Sequence, residues 1–102
     1  MINEYLIHPR SIVVIGGSNN TGKPGGSILK NILDGGYAGN LMVVNPKEDE
    51  VQGVKSYRSV DLLPDVDLAV LAIPAAGCLD VVQALAQTKN TRAFIVISAG
   101  FS

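Results

Sequence analysis

The 102-residue sequence has no tryptophan, a single cysteine, a single histidine and little charge of either sign. Each shortage removes a class of function. Cys78 cannot form an internal disulfide, and one cysteine with one histidine, His8, falls short of any familiar zinc-binding set. No apolar run reaches the length needed to span a membrane. The N-terminal stretch Met1-Ile-Asn-Glu-Tyr5 lacks the basic-then-apolar order of a secretory signal, and with a lone thiol the expected compartment is the reducing cytoplasm. Eight lysines and arginines stand against nine aspartates and glutamates, for a net charge of −1. The basic residues are scattered and do not interleave with aromatics, so nucleic acid is not an expected partner. His8, next to Pro9, reads as a loop residue and Cys78 as a small packing residue, not as catalysts.

What is present is apolar and rich in glycine. Hydrophobic residues make up 47% of the chain, enough for one core in one small domain. Four runs read as strands: Ile12 to Ile15, Leu41 to Val44, Leu68 to Ile73 and Ala93 to Ile97. Each is apolar throughout, as strands buried on both faces of a parallel sheet are. The stretch from Val51 to Val54 reads as a short turn or an edge strand. A helix is expected from about Pro24 to Leu33, with Ile28, Leu29, Ile32 and Leu33 as its buried stripe. A second is expected from about Cys78 to Gln87, with Leu79, Val82, Leu85 and Ala86 facing inward, and a short helix could lie between Ser59 and Leu63. Strands alternating with helices predict an α/β fold, a three-layer domain with an open, mainly parallel sheet of about five strands. The sequence stops just after a strand, so residues 1–102 are expected to be the N-terminal fragment of a longer, multidomain chain.

The stretch from Ser11 to Gly25 reads as strand, glycine turn and helix start. Such a junction aims free backbone N–H groups and a positive helix end at one point, a ready site for phosphate. Two known phosphate loops nearly match it. The P-loop pattern holds from Gly17 to Lys23, but Pro24 stands where the magnesium-binding hydroxyl belongs. The dinucleotide pattern loses its middle glycine to Asn19. The alternative is a glycine-rich connection with no ligand. Gly25-Gly26 in the first helical turn costs about 1 kcal/mol per glycine against alanine. Tolerating that cost implies close approach of something, either strand backbone or ligand.

In open parallel sheets, ligands bind beyond the carboxyl ends of the strands. Those ends carry Gly16, Gly17, Ser18 and the turn through Lys23; then Asn45, Pro46 and Lys47; then Pro74 and Ala75; then Ser98, Ala99 and Gly100. They hold no carboxylate pair and no nucleophile beside a base, which describes a binding site and not a reaction centre. An NAD site would place an acidic residue after the second strand. Here Lys47 instead favours a phosphate on the adenosine ribose, as in coenzyme A or NADP, and the missing middle glycine makes NADP the weaker choice.

Seven segments in register carry a resemblance: Pro9-Arg-Ser-Ile-Val-Val-Ile-Gly-Gly-Ser18, Gly22-Lys-Pro-Gly25, Val44-Asn-Pro-Lys47, Gly53-Val-Lys-Ser-Tyr-Arg-Ser-Val60, Val66-Asp-Leu-Ala-Val70, Ile73-Pro-Ala75 and Ile97-Ser-Ala-Gly-Phe101. Together they closely resemble the N-terminal, Rossmann-like CoA-binding domain of NDP-forming acyl-CoA synthetases, and the domain is similar to the first domain of the succinyl-CoA synthetase alpha subunit. The resemblance implies that Gly16, Gly17, Ser18, Thr21, Gly22 and Lys23 cradle CoA phosphate, with Ser18 and Thr21 as side-chain donors. It implies that Val44, Asn45 and Pro46 line the adenine and ribose and that Lys47 meets the 3′-phosphate. Tyr57, Ile73, Pro74 and Ala75 would flank the adenine and the pantetheine path, and Ser98, Ala99 and Gly100 would sit near the pantetheine. Ala99 departs from succinyl-CoA synthetase, where an acidic residue precedes the glycine. The family's reaction turns acyl-CoA, ADP and phosphate into free acid, CoA and ATP through a phosphohistidine on another domain, with the nucleotide on an ATP-grasp unit. His8 does not match that histidine, so the isolated chain is expected to bind CoA without catalysis. Two other readings stand beside this one: a stand-alone or acetyltransferase-fused regulatory CoA-binding module, and an NAD(P)-binding domain.

Overall fold

The computed structural model describes residues 8–97. In chain order the elements are β1 (Ser11–Ile15), helix α1 (Pro24–Asp34), β2 (Asn40–Val44), β3 (Glu50–Val51), β4 (Val54–Tyr57), a short 3-10 helix (Val60–Leu62), β5 (Leu68–Leu71), helix α2 (Ala75–Thr88) and β6 (Ala93–Val96). The strands form one sheet in the order β3-β4-β2-β1-β5-β6. All pairings in it are parallel except β3 with β4.

The sheet thus has six strands, not about five. The added strand comes from the stretch left between turn and edge strand. Gln52 and Gly53 take positive φ angles of 49° and 80°, which close a two-residue hairpin loop. That loop pairs Val51 with Val54 and Glu50 with Lys55.

Side chains alternate across the central strands, so each strand feeds both faces. Val13, Ile15, Ala69 and Leu71 meet α2 and Leu63 on one side. Val14 and Val43 meet Leu29 of α1 on the other. The result is three layers, with the sheet between α1 and α2.

Both helices differ from expectation in detail. α2 starts at Ala75, three residues before Cys78, because Pro74 already supplies an extended N-cap. Its inward residues are Cys78, Val81, Val82 and Leu85. Leu79 is 66% exposed, and Ala86 is exposed as well. On α1, Ile28, Leu29 and Ile32 face the sheet while Leu33 is exposed. β5 ends at Leu71, although the Ala72 N–H still donates to the Ile15 carbonyl at 2.8 Å.

The amino-terminal end of the sheet is tied by hydrogen bonds to one residue. The Asp67 carboxylate accepts from the Arg10 N–H at 2.9 Å, and the Asp67 N–H donates to Ser11 Oγ at 2.9 Å. The Asp67 carbonyl accepts from the Arg92 and Ala93 N–H groups, both at 3.1 Å. This residue ties the N-terminal ends of β1, β5 and β6 together and lies far from the carboxyl ends.

Candidate functional site

β1 and β5 are neighbours, yet β1 leads into α1 on one face and β5 into α2 on the other. Their carboxyl ends therefore open a crevice at a topological switch point, the usual ligand position in such sheets. Hydrogen bonds draw the strand ends together. The Gly16 N–H donates to the Val44 carbonyl at 2.9 Å, and the Asn45 N–H donates to the Tyr57 carbonyl at 2.9 Å. A Cβ on Gly16 would press on the Ala72 carbonyl oxygen and on Ile73, and Gly16 holds a φ of +88°. This position needs glycine on both counts.

The loop between β1 and α1 is built by its own side chains. Ser18 Oγ accepts from the Asn20 N–H at 3.0 Å, and Asn20 Oδ1 accepts from the Gly22 N–H at 2.9 Å. The Lys23 N–H donates to the Asn20 carbonyl at 3.0 Å. The helix then begins with Pro24, and its first donor is the Ser27 N–H, to the Lys23 carbonyl at 2.8 Å. The Gly25 and Gly26 N–H groups precede that bond and have no intrahelical acceptor. The glycine pair answers the question of close approach: a Cβ on Gly25 would overlap the Gly16 carbonyl oxygen, and one on Gly26 would overlap that of Asn20. Backbone, not ligand, comes close there.

Asn45 joins the second strand to the loop. Its Nδ2 donates to the Gly17 carbonyl at 3.0 Å, and its Oδ1 accepts from the Lys47 N–H at 2.8 Å. Pro46 and Lys47 are exposed beside it. The Val44 side chain is buried in the core cluster on the α2 side of the sheet, and its carbonyl is the one that accepts from Gly16. Tyr57 is half-buried against the same core, with Lys55 Nζ 5.0 Å from its ring centre. Ile73 is half-buried, and Pro74 and Ala75 are exposed at the start of α2. Thr21, Gly22 and Lys23 are exposed on the loop. Ser98, Ala99 and Gly100 lie outside the described residues. Gln52 was not among the expected site residues, yet it bonds to the loop from the β3–β4 hairpin.

The carboxyl end of the sheet is electrostatically suited to an anion. α1 and α2 both start there, and neither has an acidic residue in its first turn to cancel the positive helix end. Lys23 and Lys47 add charge. Of the nearby acids, Asp49 is engaged by Arg58 at 3.0 Å, and that bond holds its carboxyl below the usual range. Backbone N–H groups, two helix starts and two lysines suit a phosphate-bearing ligand. A hollow of about 620 Å³ opens at the opposite, amino-terminal end of the strands, beside Tyr37, Leu68 and Gly35. It abuts the C-terminal end of α1, where the helix dipole disfavours an anion, and His8 lies there, away from the strand carboxyl ends. Among the described residues, no group of three His, Cys, Asp or Glu could hold a metal, and no helix is long and apolar enough to cross a membrane.

Residues 10–102 match the family described as CoA binding domain. The chain is 43% identical over 100 residues to a trans-feruloyl-CoA synthase from an unknown prokaryotic organism, covering 97% of this chain and 14% of that protein. It is 38% identical over 100 residues to the ADP-forming acetate–CoA ligase of Methanocaldococcus jannaschii, with the same coverage of 97% and 14%. Among solved structures it is similar to the apo form of the dinucleotide-forming acetyl-coenzyme A synthetase 1 of Ca. Korarchaeum cryptofilum. That likeness has a TM-score of 0.87 at 36% identity and covers 96% of this chain and 21% of that one. The chain thus spans about one-seventh of the length of these two curated relatives.

Proposed function

Because the chain belongs to the CoA-binding domain family, we propose that it is the CoA-holding part of an ADP-forming acyl-CoA ligase. The observation that carries this reading is the strand-end crevice, where two helix starts without first-turn acids meet a glycine loop and Lys47. That arrangement binds phosphate groups and has no chemistry of its own to offer an acyl group. The ligases to which this chain is similar are far longer, which leaves room for catalysis elsewhere. In this reading the phosphohistidine and the ATP-grasp unit belong to other domains or subunits.

The residue roles follow from chemistry and position. Gly16, Gly17, Ser18, Thr21, Gly22 and Lys23 form the loop that cradles the pyrophosphate, with the Ser18 and Thr21 hydroxyls and the Lys23 ammonium as side-chain donors. Val44, Asn45 and Pro46 wall the adenosine, and Lys47 pairs with the 3′-phosphate. Tyr57, Ile73, Pro74 and Ala75 flank the adenine and the pantetheine arm, and Ser98, Ala99 and Gly100 complete the pantetheine end.

Calorimetric titration of the chain with CoA, dephospho-CoA and NADH tests this. CoA is expected to bind tightest, and tighter NADH binding would overturn the reading. Lys47→Ala should cost about 1.5–3 kcal/mol of CoA affinity, the worth of a hydrogen bond to a charged group, and leave dephospho-CoA nearly unaffected. Equal losses would remove Lys47 from the 3′-phosphate. Incubation with acetyl-CoA, ADP and phosphate should yield no ATP from this chain alone; turnover would refute the division between binding and catalysis.

A further inference from the structure

Gln52 sits in the hairpin loop between β3 and β4 at a φ of +49°. A non-glycine residue there is usually Asn or Asp, whose short side chains tolerate the left-handed region. Glutamine gains nothing from that geometry. Its longer arm, however, reaches out of the turn. Nε2 donates to the Ser18 carbonyl at 2.8 Å and to the Gly26 carbonyl at 3.0 Å. The backbone N–H of the same residue donates to Asn19 Oδ1 at 2.7 Å. One residue from a distant hairpin therefore grips the middle of the loop and the first turn of α1 together.

Fixing a carbonyl fixes more than an oxygen. In a planar trans peptide the C=O and the following N–H point opposite ways. Holding the Ser18 carbonyl toward Gln52 turns the Asn19 N–H away from the hairpin.

We infer that Gln52 is the positioning residue of the CoA phosphate loop, holding the 18–26 backbone in the orientation that presents its N–H groups to the pyrophosphate. The inference rests on the CoA reading above, and it assigns Gln52 no contact with CoA itself.

Two substitutions separate this role from that of a turn residue. Gln52→Asn suits the turn at least as well but shortens the arm by one methylene. The bonds lost lie within the fold, so the unfolding temperature should drop by a few degrees, while CoA and dephospho-CoA should both bind about tenfold more weakly, because the loosened loop must be ordered on binding. The losses should be equal because the loop faces the pyrophosphate common to both. Gln52→Glu sets a carboxylate against two carbonyl oxygens at pH 7.5. Its affinity deficit, taken against the unsubstituted chain at the same pH, should shrink toward pH 5 as the acid regains a proton to donate. Unchanged affinity in Gln52→Asn, or a deficit in Gln52→Glu that ignores pH, would overturn the inference. If the unsubstituted chain fails to bind CoA, the functional reading falls, and amide exchange over residues 18–26 decides the rest. Faster exchange in Gln52→Asn than in the unsubstituted chain supports a loop held by Gln52, and equal exchange overturns it.

Discussion

Alanine is the better helix former by about 1 kcal/mol, so Gly25→Ala and Gly26→Ala would stabilise a free helix. Here the sign should reverse. The new methyl groups would overlap the Gly16 and Asn20 carbonyl oxygens, which belong to backbone and cannot swing aside. Each substitution is expected to destabilise the chain by about 1–3 kcal/mol, the usual cost of overpacking, read as a lower denaturant midpoint. A higher midpoint would mean that α1 can withdraw from the loop at no cost. That something approaches this pair was legible in the sequence, because two glycines in a first turn are costly. What approaches was not, since the partners Gly16 and Asn20 are brought in by the turn itself. Gln52 was illegible for a related reason: its role depends on a hairpin register and a left-handed φ that carry no apolar pattern.

The helices and strands differ in how openly they declare themselves. β1 and β5 sit at the centre of the sheet, so their residues are apolar on both faces and were plain as runs. β3 is two residues long and shows no such run. α2 is the instructive failure. Ala75, Ala76, Cys78, Leu79, Val81, Val82, Ala84, Leu85 and Ala86 place apolar groups nearly all round it, so periodicity alone fits more than one stripe. The fold selects the one through Cys78, Val82 and Leu85 because these meet Val13, Ala69 and Leu71. Leu85→Ala should therefore cost about 2–5 kcal/mol, the range for emptying a packed leucine site. Leu79→Ala should change stability by no more than about 0.5 kcal/mol, as at other exposed positions. Paired denaturation curves check both, and similar losses would contradict the assigned face.

Across the molecule, the two ends of the sheet are built differently. The amino-terminal end, around Asp67, uses its polar groups internally, and the Tyr37 hydroxyl donates to the Pro9 carbonyl at 2.8 Å there. Burial first, and the nearby Asp67 charge second, push the Tyr37 hydroxyl above its ordinary range. A raised acid favours the protonated form in the folded state, so this support is intact below about pH 10 and is lost as pH rises through the folded value. Stability of the chain should fall in that alkaline window, and Tyr37→Phe should fall less steeply; parallel slopes would separate Tyr37 from the effect. The carboxyl end instead keeps backbone donors in reserve, while Asn45, Gln52 and the glycine contacts brace the loop that carries them. A loop braced before its ligand arrives has met its ordering entropy during folding. Capture of a phosphate then needs no closing motion, so arrival should be governed by diffusion and charge, and loosening any brace should shorten the lifetime of the complex more than it slows its formation.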